Sequence, residues 1–256
     1  MTQISAVIIT LNEENNIERC IQSVIGIADE IVVLDSLSTD KTKEICLKYP
    51  VRFIEQPFLG YIEQKNKALE FATFPHVLSL DADEALSDKL KSSIIKAKEN
   101  WKFDGYYFNR LTNFCGKWIH HTDWYPDRKL RLFDKRKGQW RGINPHDKYT
   151  LHAGCPESFL KGDLFHYSYP SINHHIEVMK KFTTIMAIEN YKKGKKVGIF
   201  SLLFSPFWKF IKSYIFRLGF LDGYYGFVVS VISAYATFIK YVKIKELYKN
   251  NPVESA

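Results

Sequence analysis

Short apolar runs alternate with a helix-period segment through the first part of the chain. Residues 4–10, 32–34 and 76–80 have the length and apolar content of buried strands. Between the first two runs, one helical face carries Ile17, Cys20, Ile21 and Val24. Asn12 precedes this segment and is expected to be its N-cap. Strand, polar turn, helix and strand in this order predict a doubly wound α/β sheet.

Carboxylates stand at the ends of two of these strands. Asp35 follows the run at 32–34, and Asp81 and Asp83 follow the run at 76–80. Ligands bind at the carboxyl ends of strands in open α/β sheets, so both positions are candidates for one site. If residues 81–83 stay extended, their two carboxylates point the same way and can share a divalent cation. The simpler alternative is that Asp35 and Asp81 only cap the helices that follow.

Positive charge is concentrated in the last hundred residues. Residues 157–256 hold 14 Lys and Arg against 7 Asp and Glu, and the whole chain has a net charge of +8. Residues 207–218 place apolar side chains at helical spacing, with Lys209, Lys212 and Arg217 off that stripe. Basic residues beside an aromatic-rich face are typical of a helix on an anionic membrane surface. No nucleic-acid-binding motif accompanies this charge, so nucleic acid is not an expected partner.

A second uncharged run covers residues 223–239 and ends at Lys240. Its length falls short of the roughly 20 residues that span a bilayer, and its tyrosine, serine and threonine residues lower its hydropathy. We therefore expect a helical hairpin that lies in or dips into the membrane interface, rather than a spanning helix. The alternative is a buried helix pair that closes the core, with its lysines facing solvent.

Cysteine usage and the N-terminal sequence bear on the compartment. The four cysteines show no Cys-x-x-Cys spacing, and Cys20 lies on the apolar helix face, so neither a zinc site nor a disulfide framework is expected. The chain enters its first strand without the basic and apolar stretches of a secretory signal. These features predict a reducing, cytoplasmic environment for the α/β part.

Four motifs within residues 3–150 give a specific resemblance. They are Thr-Leu-Asn-Glu-Glu at 10–14, Asp-Ser-Leu-Ser-Thr-Asp-Lys-Thr at 35–42, Gln-Lys-Asn-Lys-Ala-Leu at 64–69 and Leu-Asp-Ala-Asp-Glu at 80–84. Their order resembles that of the family 2 glycosyltransferases with the GT-A fold. Two later segments, residues 124–133 and 219–223, are similar to the subgroup that extends lipopolysaccharide cores, including glucosyltransferases that act on inner-core heptose.

The resemblance implies an α/β fold of the GT-A nucleotide-diphospho-sugar transferase type. This is a Rossmann-like mixed sheet flanked by helices, here followed by a C-terminal amphipathic helical region associated with the membrane. The expected catalytic domain covers residues 1–190, with a donor half to about residue 100 and an acceptor half over 101–190. The basic, aromatic-rich helical region is expected over residues 191–256.

The resemblance also implies roles for residues on the donor side. Contacts with the nucleobase or ribose are implied for Thr10, Asn12, Glu13 and Asp35. Lys65 stands where many relatives carry an arginine facing the diphosphate, although it can equally be a surface lysine on a helix at 62–72. The expected cofactor is Mg²⁺ or Mn²⁺, with ligands Asp83, Asp81 and His166. Asp81 is expected to face the ribose or to share the metal.

An inverting displacement needs a general base that takes the proton of the acceptor hydroxyl as it attacks. The candidate acids are Asp123, Asp127 and Asp147. We favour Asp147, which follows the strand at 131–133 at the place where relatives carry an acid, and we rank Asp127 second. The basic residues available for acceptor phosphates are Arg128, Lys129 and Arg131.

The expected function is inverting transfer of a hexose, by resemblance glucose from UDP-glucose, to a lipid-linked glycan. The acceptor implied by the resemblance is the inner-core heptose of lipopolysaccharide, at the cytoplasmic face of the inner membrane, where the protein is expected to be peripheral. The expected partners are a UDP-sugar donor, a lipid-linked saccharide acceptor and an anionic membrane surface. Two alternatives stay open, namely transfer to polyprenyl phosphate and non-catalytic binding of a sugar nucleotide at the membrane.

Overall fold

The computed structural model describes residues 1–143 and 146–250. The chain divides into two compact units. Unit 1 comprises Met1–Leu111 and Asp127–Tyr167, and unit 2 comprises Thr112–Pro126 and Ser168–Ala256. The expected division into a catalytic domain over residues 1–190 and a helical region over residues 191–256 stays a prediction.

The strands in chain order are β1 (Ile4–Thr10), β2 (Glu30–Asp35), β3 (Arg52–Glu55), β4 (His76–Asp81), β5 (Glu84–Leu86), β6 (Gly105–Phe114), β7 (Lys117–Trp118), β8 (Asp127–Asp134), β9 (Gly138–Ile143), β10 (His146–Leu151) and β11 (Glu157–Tyr169). The helices are α1 (Ile17–Val24), α2 (Thr42–Cys46), α3 (Tyr61–Phe71), α4 (Asp88–Glu99), α5 (Ile172–Lys192), α6 (Ile199–Ile211) and α7 (Gly223–Asn250). A 3₁₀ turn also covers Lys135–Lys137.

The main sheet has the strand order β3-β2-β1-β4-β8-β6-β11-β5. β1, β2, β3 and β4 pair in parallel, whereas β8 is antiparallel to both β4 and β6, and β11 is antiparallel to β5. A parallel half joined to an antiparallel half confirms the mixed, helix-flanked sheet that the resemblance implies. β9 and β10 form a separate antiparallel hairpin.

Both faces of the parallel half are buried. On β1, Ile4, Ala6 and Ile8 belong to one apolar cluster together with α1 and α4. The intervening Val7 belongs to the opposite cluster, which includes Ala68 of α3. A strand covered on both faces is apolar at nearly every position, which explains the continuous apolar runs in the sequence. The face predicted for α1 is confirmed, since all four of its apolar residues are fully buried.

The start of α1 differs from the prediction. The helix begins at Ile17 with Asn16 at the N-cap position, and no side chain caps it. Asn12 instead lies in the preceding loop with a φ of 55°, in the left-handed region that asparagine tolerates better than most residues. The Asn12 side chain therefore makes its hydrogen bond between loops and does not cap α1.

Unit 2 contains the three long helices α5, α6 and α7. A π turn at Lys212–Phe216 and a 3₁₀ turn at Gly219–Asp222 join α6 to α7. A β-carbon at Gly226 would lie 1.9 Å from the carbonyl oxygen of Gly219, so the first turn of α7 packs directly on the connecting turn. The buried hydroxyls of Ser213 and Ser230 lie 3.0 Å apart and hold the turn to α7.

Residues 207–218 do not form the one continuous helix that the sequence predicts, because α6 ends within this range and a π turn follows it. α6 begins eight residues earlier at Ile199, runs through Pro206, and ends at Ile211. Pro206 has no amide hydrogen, so the intrahelical bond to the Leu202 carbonyl is missing from α6, and a π turn follows the helix. No residue of α6 is buried. The alternative of a buried helix pair therefore does not hold for α6.

One helical stretch in the described part of the chain, Gly219–Asn250, is long and apolar enough by length and composition to cross a membrane. Only 17% of its most apolar window is buried, unlike a core helix of a soluble protein. Exposed side chains along it include Leu221, Phe227, Val231 and Tyr235. The apolar surface expected from the sequence is thus present on unit 2, and whether this helix spans or lies along a membrane stays a prediction.

Candidate active site

Three parallel strands of unit 1 end side by side. The register pairs Thr10 of β1 with Asp35 of β2, and Ile9 of β1 with Asp81 of β4. Thr10, Asp35 and Asp81 thus lie at one carboxyl edge of the sheet, as the sequence predicts for a ligand site in an open α/β fold. The hydroxyl oxygen of Thr10 is buried and has no hydrogen-bond partner among the described residues.

The loops that follow β1 and β2 are joined to each other. The Asn12 amide donates to Ser38 Oγ at 2.8 Å, and the Thr39 amide donates to Asn12 Oδ1 at 2.8 Å. The Glu13 amide donates to Thr42 Oγ1 at 2.9 Å. These hydrogen bonds join the motifs at 10–14 and 35–42 into one surface. They hold the two loops in place before any ligand binds.

Asp35 is almost fully buried at the base of this surface. Its carboxylate accepts from the Ser38 amide at 2.8 Å and from Ser38 Oγ at 2.5 Å. The simpler alternative, a helix cap, is wrong for Asp35, because the following helix α2 has Lys41 at its N-cap position and no side-chain cap, and the Asp35 bonds lie within the loop. Each carboxylate oxygen can accept more than one hydrogen bond, so a nucleoside role for Asp35 stays a prediction.

Glu13 lies in the same loop pair. Burial raises the pKa of its carboxyl to about 7, against an ordinary value of 4.5, and the nearby carboxylates Asp83, Asp40 and Asp81 add to the rise. The Asn16 side chain donates to Glu13 Oε2 at 2.8 Å and opposes part of this effect. Glu13 is thus a carboxyl whose charge changes near neutral pH, at the edge where the nucleotide is expected.

Asp81 lies at the centre of an ionic network. Arg131 Nη2 donates to Asp81 Oδ2 at 2.7 Å, and Lys65 Nζ lies 3.0 Å from Asp81 Oδ1. Lys65 Nζ donates to Oδ2 at 3.3 Å, whereas Oδ1 lies outside hydrogen-bond geometry. Burial raises the pKa of Asp81, but Arg131 and Lys65 outweigh burial and hold this pKa well below its usual range.

The network extends on both sides of Asp81 with alternating charge. On one side Lys65 donates to Asp147 Oδ2 at 2.7 Å. On the other side Arg131 donates to Glu84 at 2.9 Å, and Arg110 lies 3.5 Å from Glu84 and 2.8 Å from Asp127. The full series, in contact order, is Asp147, Lys65, Asp81, Arg131, Glu84, Arg110, Asp127 and Lys129. Its formal charges cancel, so no buried charge is left uncompensated.

A wall made of two cationic side chains and an indole lies beside Asp81. Lys65 Nζ is 4.6 Å from the centre of the Trp140 ring, and the Arg131 guanidinium is 5.3 Å from it. Lys65 is 4% exposed, which excludes the surface-lysine alternative. The unpartnered buried donors of the wall, among residues 1–143 and 146–250, are Arg131 Nε, Arg131 Nη1 and Trp140 Nε1. Buried donors without acceptors are rare, and this set suits a phosphate oxygen.

Trp140 is held in place by a neighbouring helix and hairpin. Asn66 of α3 makes two hydrogen bonds of 3.0 Å with the Trp140 backbone. Tyr149 stacks on Phe133 with ring centres 3.4 Å apart, and both rings contact the Trp140 ring edge-on. α3 thereby supplies both Lys65 and the residue that positions the indole. The motif at 64–69 thus contributes two adjacent residues, Lys65 and Asn66, to the site.

The segment between Asp81 and Asp83 turns instead of remaining extended. β4 ends at Asp81 and β5 begins at Glu84, with a turn at Ala82 and Asp83. The carboxylates of Asp81 and Asp83 therefore have different partners, and the parallel arrangement that an extended segment would give is absent. Asp83 Oδ2 lies 3.1 Å from His166 Nε2. Burial raises the pKa of Asp83, but the His166 ring outweighs burial and the pKa is lowered.

Asp83 and His166 are the side chains best placed for a divalent cation. A carboxylate and an imidazole suit Mn²⁺, and a cation that binds a nucleotide takes further ligands from the phosphates. In the described part of the chain, no three His, Cys, Asp or Glu side chains converge on a metal position. Asp81 is occupied by Arg131 and Lys65 as it lies. The donor set therefore fits a cation that binds together with a diphosphate.

The three candidate bases differ in their surroundings. Asp147 is paired with Lys65, at the Asp81 end of the network. Asp127 is held by two cations, Arg110 and Lys129. Asp123 lies in unit 2, where Lys209 donates to its carboxylate. Asp147 is thus the candidate base that shares a partner with Asp81.

Sequence reasoning missed three residues of this site. Glu84 accepts from the Asp81 amide at 3.0 Å and binds Arg131, although the motif at 80–84 already contained it. Arg110 is a charged residue on a largely buried strand, a pattern that signals an internal ion pair. Trp140 carried no signal in the sequence, because its role depends on Asn66, which lies 74 residues away.

Comparisons with known proteins identify the family of the chain. The family model described as "Glycosyl transferase family 2" matches residues 5–162. An uncharacterized glycosyltransferase of Rickettsia typhi is 34% identical over 96% of this chain and 88% of its own length. The lipopolysaccharide core biosynthesis glycosyltransferase LpsC of Rhizobium meliloti is 30% identical, over 94% of this chain and 91% of its own length.

A solved structure is also similar. TarS residues 1–349 of S. aureus, in complex with UDP-GlcNAc, has a TM-score of 0.49 and 15% identity, over 99% of this chain and 93% of that chain. The family model covers more than half of this chain, and the bacterial relatives cover nearly all of it. The chain therefore belongs to glycosyl transferase family 2.

Proposed function

We propose that this glycosyltransferase moves glucose from UDP-glucose, with inversion, onto a lipid-linked glycan, and that the acceptor is the inner-core heptose of lipopolysaccharide. The observation that carries the donor half of the proposal is the set of unpartnered buried donors on Arg131 and Trp140 beside Lys65. This wall supplies what a diphosphate needs, namely fixed cations and N–H groups in a buried position.

The acceptor class is supported by likeness and by surface chemistry. The relative from Rhizobium meliloti is named for lipopolysaccharide core biosynthesis. Unit 2 presents a long apolar helix pair and most of the excess positive charge of the chain, which suit a membrane-held substrate and an anionic membrane surface. We accordingly place the protein at the cytoplasmic face of the inner membrane as a peripheral enzyme.

The proposed residue roles follow from these contacts. Thr10, Asn12, Glu13 and Asp35 would hold the nucleoside at the joined loops, and Lys65 with Arg131 would bind the diphosphate. Asp83 and His166 would hold Mg²⁺ or Mn²⁺, which when bound neutralises charge on the leaving diphosphate. Asp147 would take the proton from the acceptor hydroxyl as it attacks the anomeric carbon. Asp81 would orient Lys65 and Arg131 and contact the ribose or the metal.

Donor binding can be tested by thermal shift with several nucleotide sugars in the presence of Mn²⁺. A ligand that binds the folded state raises the melting temperature, and we expect the largest rise with UDP-glucose. Lys65→Gln should reduce this rise because it removes the diphosphate cation, whereas Lys67→Gln, at a half-exposed position of the same helix, should leave it unchanged. The proposed donor site would be contradicted if no UDP-sugar raised the melting temperature of the wild-type protein. It would also be contradicted if Lys65→Gln and Lys67→Gln changed this rise equally.

A further inference from the structure

A cluster of three basic side chains surrounds one carboxylate in unit 2. Lys209 Nζ donates to Asp123 Oδ2 at 2.5 Å. Arg217 Nε lies 3.5 Å and Lys212 Nζ 3.9 Å from Asp123 Oδ1. The cluster therefore carries two positive charges more than it needs to neutralise Asp123. Lys212 is 45% and Arg217 56% exposed, so both can reach a ligand from solvent.

The fold brings these residues together at the end of α6. Lys209 lies in the last turn of the helix, Lys212 begins the π turn, and Arg217 follows its end. The Arg217 carbonyl accepts from the Thr122 amide at 2.9 Å, which ties the segment carrying Asp123 to the same turn. Cations are favoured at the C-terminal end of a helix, so this arrangement is stable before a ligand arrives.

Large apolar side chains border the cluster. Phe207, Trp208 and Phe216 are 63%, 57% and 65% exposed, and Leu218 is 45% exposed. The Trp208 and Phe216 rings lie 5.7 Å apart, so they form one continuous apolar patch. Contiguous exposed patches of this kind mark sites of interaction. Basic and aromatic residues are interspersed over residues 207–218, as they are where a protein enters the headgroup region of a bilayer.

We propose that Lys209, Lys212 and Arg217 bind the phosphate of an anionic phospholipid headgroup, while the bordering aromatic side chains enter the acyl region. This inference rests on the proposed function, since it places the enzyme on the membrane that holds its acceptor. Asp123 keeps the three cations together in the absence of lipid, and it leaves the guanidinium edge of Arg217 open to phosphate oxygens. An acidic protein would match the charge, but it would not need the exposed aromatic border.

The test is co-flotation of the full-length protein with vesicles of phosphatidylcholine, with and without phosphatidylglycerol. The cluster variant combines Lys209→Gln, Lys212→Gln and Arg217→Gln. The control combines Lys48→Gln, Lys89→Gln and Lys96→Gln, which remove the same charge from exposed positions of unit 1. We expect the cluster variant to bind the anionic vesicles at least about 10-fold less tightly, and the control less than about 3-fold.

Equal losses in the two variants would overturn the site, because diffuse charge would then account for binding. Absence of wild-type binding to anionic vesicles would overturn it as well, and would leave an acidic protein as the match for the cluster. Lys212→Gln alone guards against misfolding of the triple variant, because the Lys212 ammonium makes no hydrogen bond to any described residue. This single variant should weaken binding in the same direction. The readout is independent of sugar transfer, so an enzyme that floats with vesicles but transfers no sugar would contradict only the proposed function.

Discussion

Asp83→Asn is expected to lower sugar transfer by about 10² to 10³-fold, because a divalent cation supplies several kcal/mol of charge stabilisation to a leaving diphosphate. The substitution keeps the side-chain shape but removes the charge beside His166 that would hold the cation. Chelation of the wild-type enzyme with EDTA should have the same effect. Initial rates measured against Mn²⁺ concentration test both expectations.

A matched control is Asp88→Asn, which makes the same chemical change at a fully exposed position on α4. This variant should retain wild-type rates and the wild-type response to Mn²⁺. His166→Gln should raise the Mn²⁺ concentration that gives half-maximal activity, since it removes the second proposed ligand. Full activity of the wild-type enzyme in EDTA would refute the metal assignment.

Asp147→Asn is expected to lower turnover by about 10²-fold or more, because a general base acts on the acceptor proton in the transition state. Binding of the donor should persist, since nucleoside contacts are proposed at other residues. The measurement is a comparison of turnover rate with donor-induced thermal shift in the same variant. A fall in turnover without a fall in donor binding identifies an interaction that is made only in the transition state.

Asp127→Asn is the comparison for this prediction. Both acids are paired with cations, Asp147 with Lys65 and Asp127 with Arg110 and Lys129, so both substitutions release a buried or half-buried positive charge. Asp127→Asn should lower turnover much less. If the larger loss came from Asp127→Asn, the base would be Asp127 and Asp147 would only hold Lys65.

The sequence was sufficient to predict the strand ends at this edge of the sheet. Apolar runs of strand length fixed β1, β2 and β4, and each delivered its polar residue to the same edge because parallel strands share their direction. The buried face of α1 followed from helical spacing in the same way. These features depend on contacts that are local or periodic, which is why residue order alone reveals them.

Other parts of the site depend on pairs that are distant in sequence. Lys65 and Asp147 are 82 residues apart, and Arg131 meets Asp81 from a strand 50 residues away. The sequence offered Arg131 for acceptor phosphates, whereas the antiparallel placement of β8 beside β4 turns it toward Asp81 and Trp140. Sequence spacing could not specify this choice, because it depends on which strand pairs with which.

The turn at Ala82 and Asp83 shows the same limit on a smaller scale. An extended Asp-Ala-Asp segment would direct both carboxylates to one cation. The Asp81 amide instead donates to Glu84 Oε2 at 3.0 Å, which closes the turn and leaves Asp83 facing His166. Both partners that fix this geometry, Glu84 and His166, pair with each other in the β5–β11 register. The pairing of β5 with β11 therefore gives Asp81 and Asp83 different partners, and with them different proposed roles.

The most direct test of the account is a transfer assay with the purified full-length enzyme, UDP-glucose, Mn²⁺ and lipopolysaccharide truncated to its inner core. We expect a product heavier by one hexose, with the new linkage at heptose and of inverted configuration, and we expect Asp83→Asn to form it about 10² to 10³-fold more slowly. Transfer to polyprenyl phosphate but not to the inner core would contradict the proposed acceptor. Binding of UDP-glucose without transfer to either acceptor would contradict the claim that Asp147 and the edge formed by Thr10, Asp35 and Asp81 carry out hexose transfer.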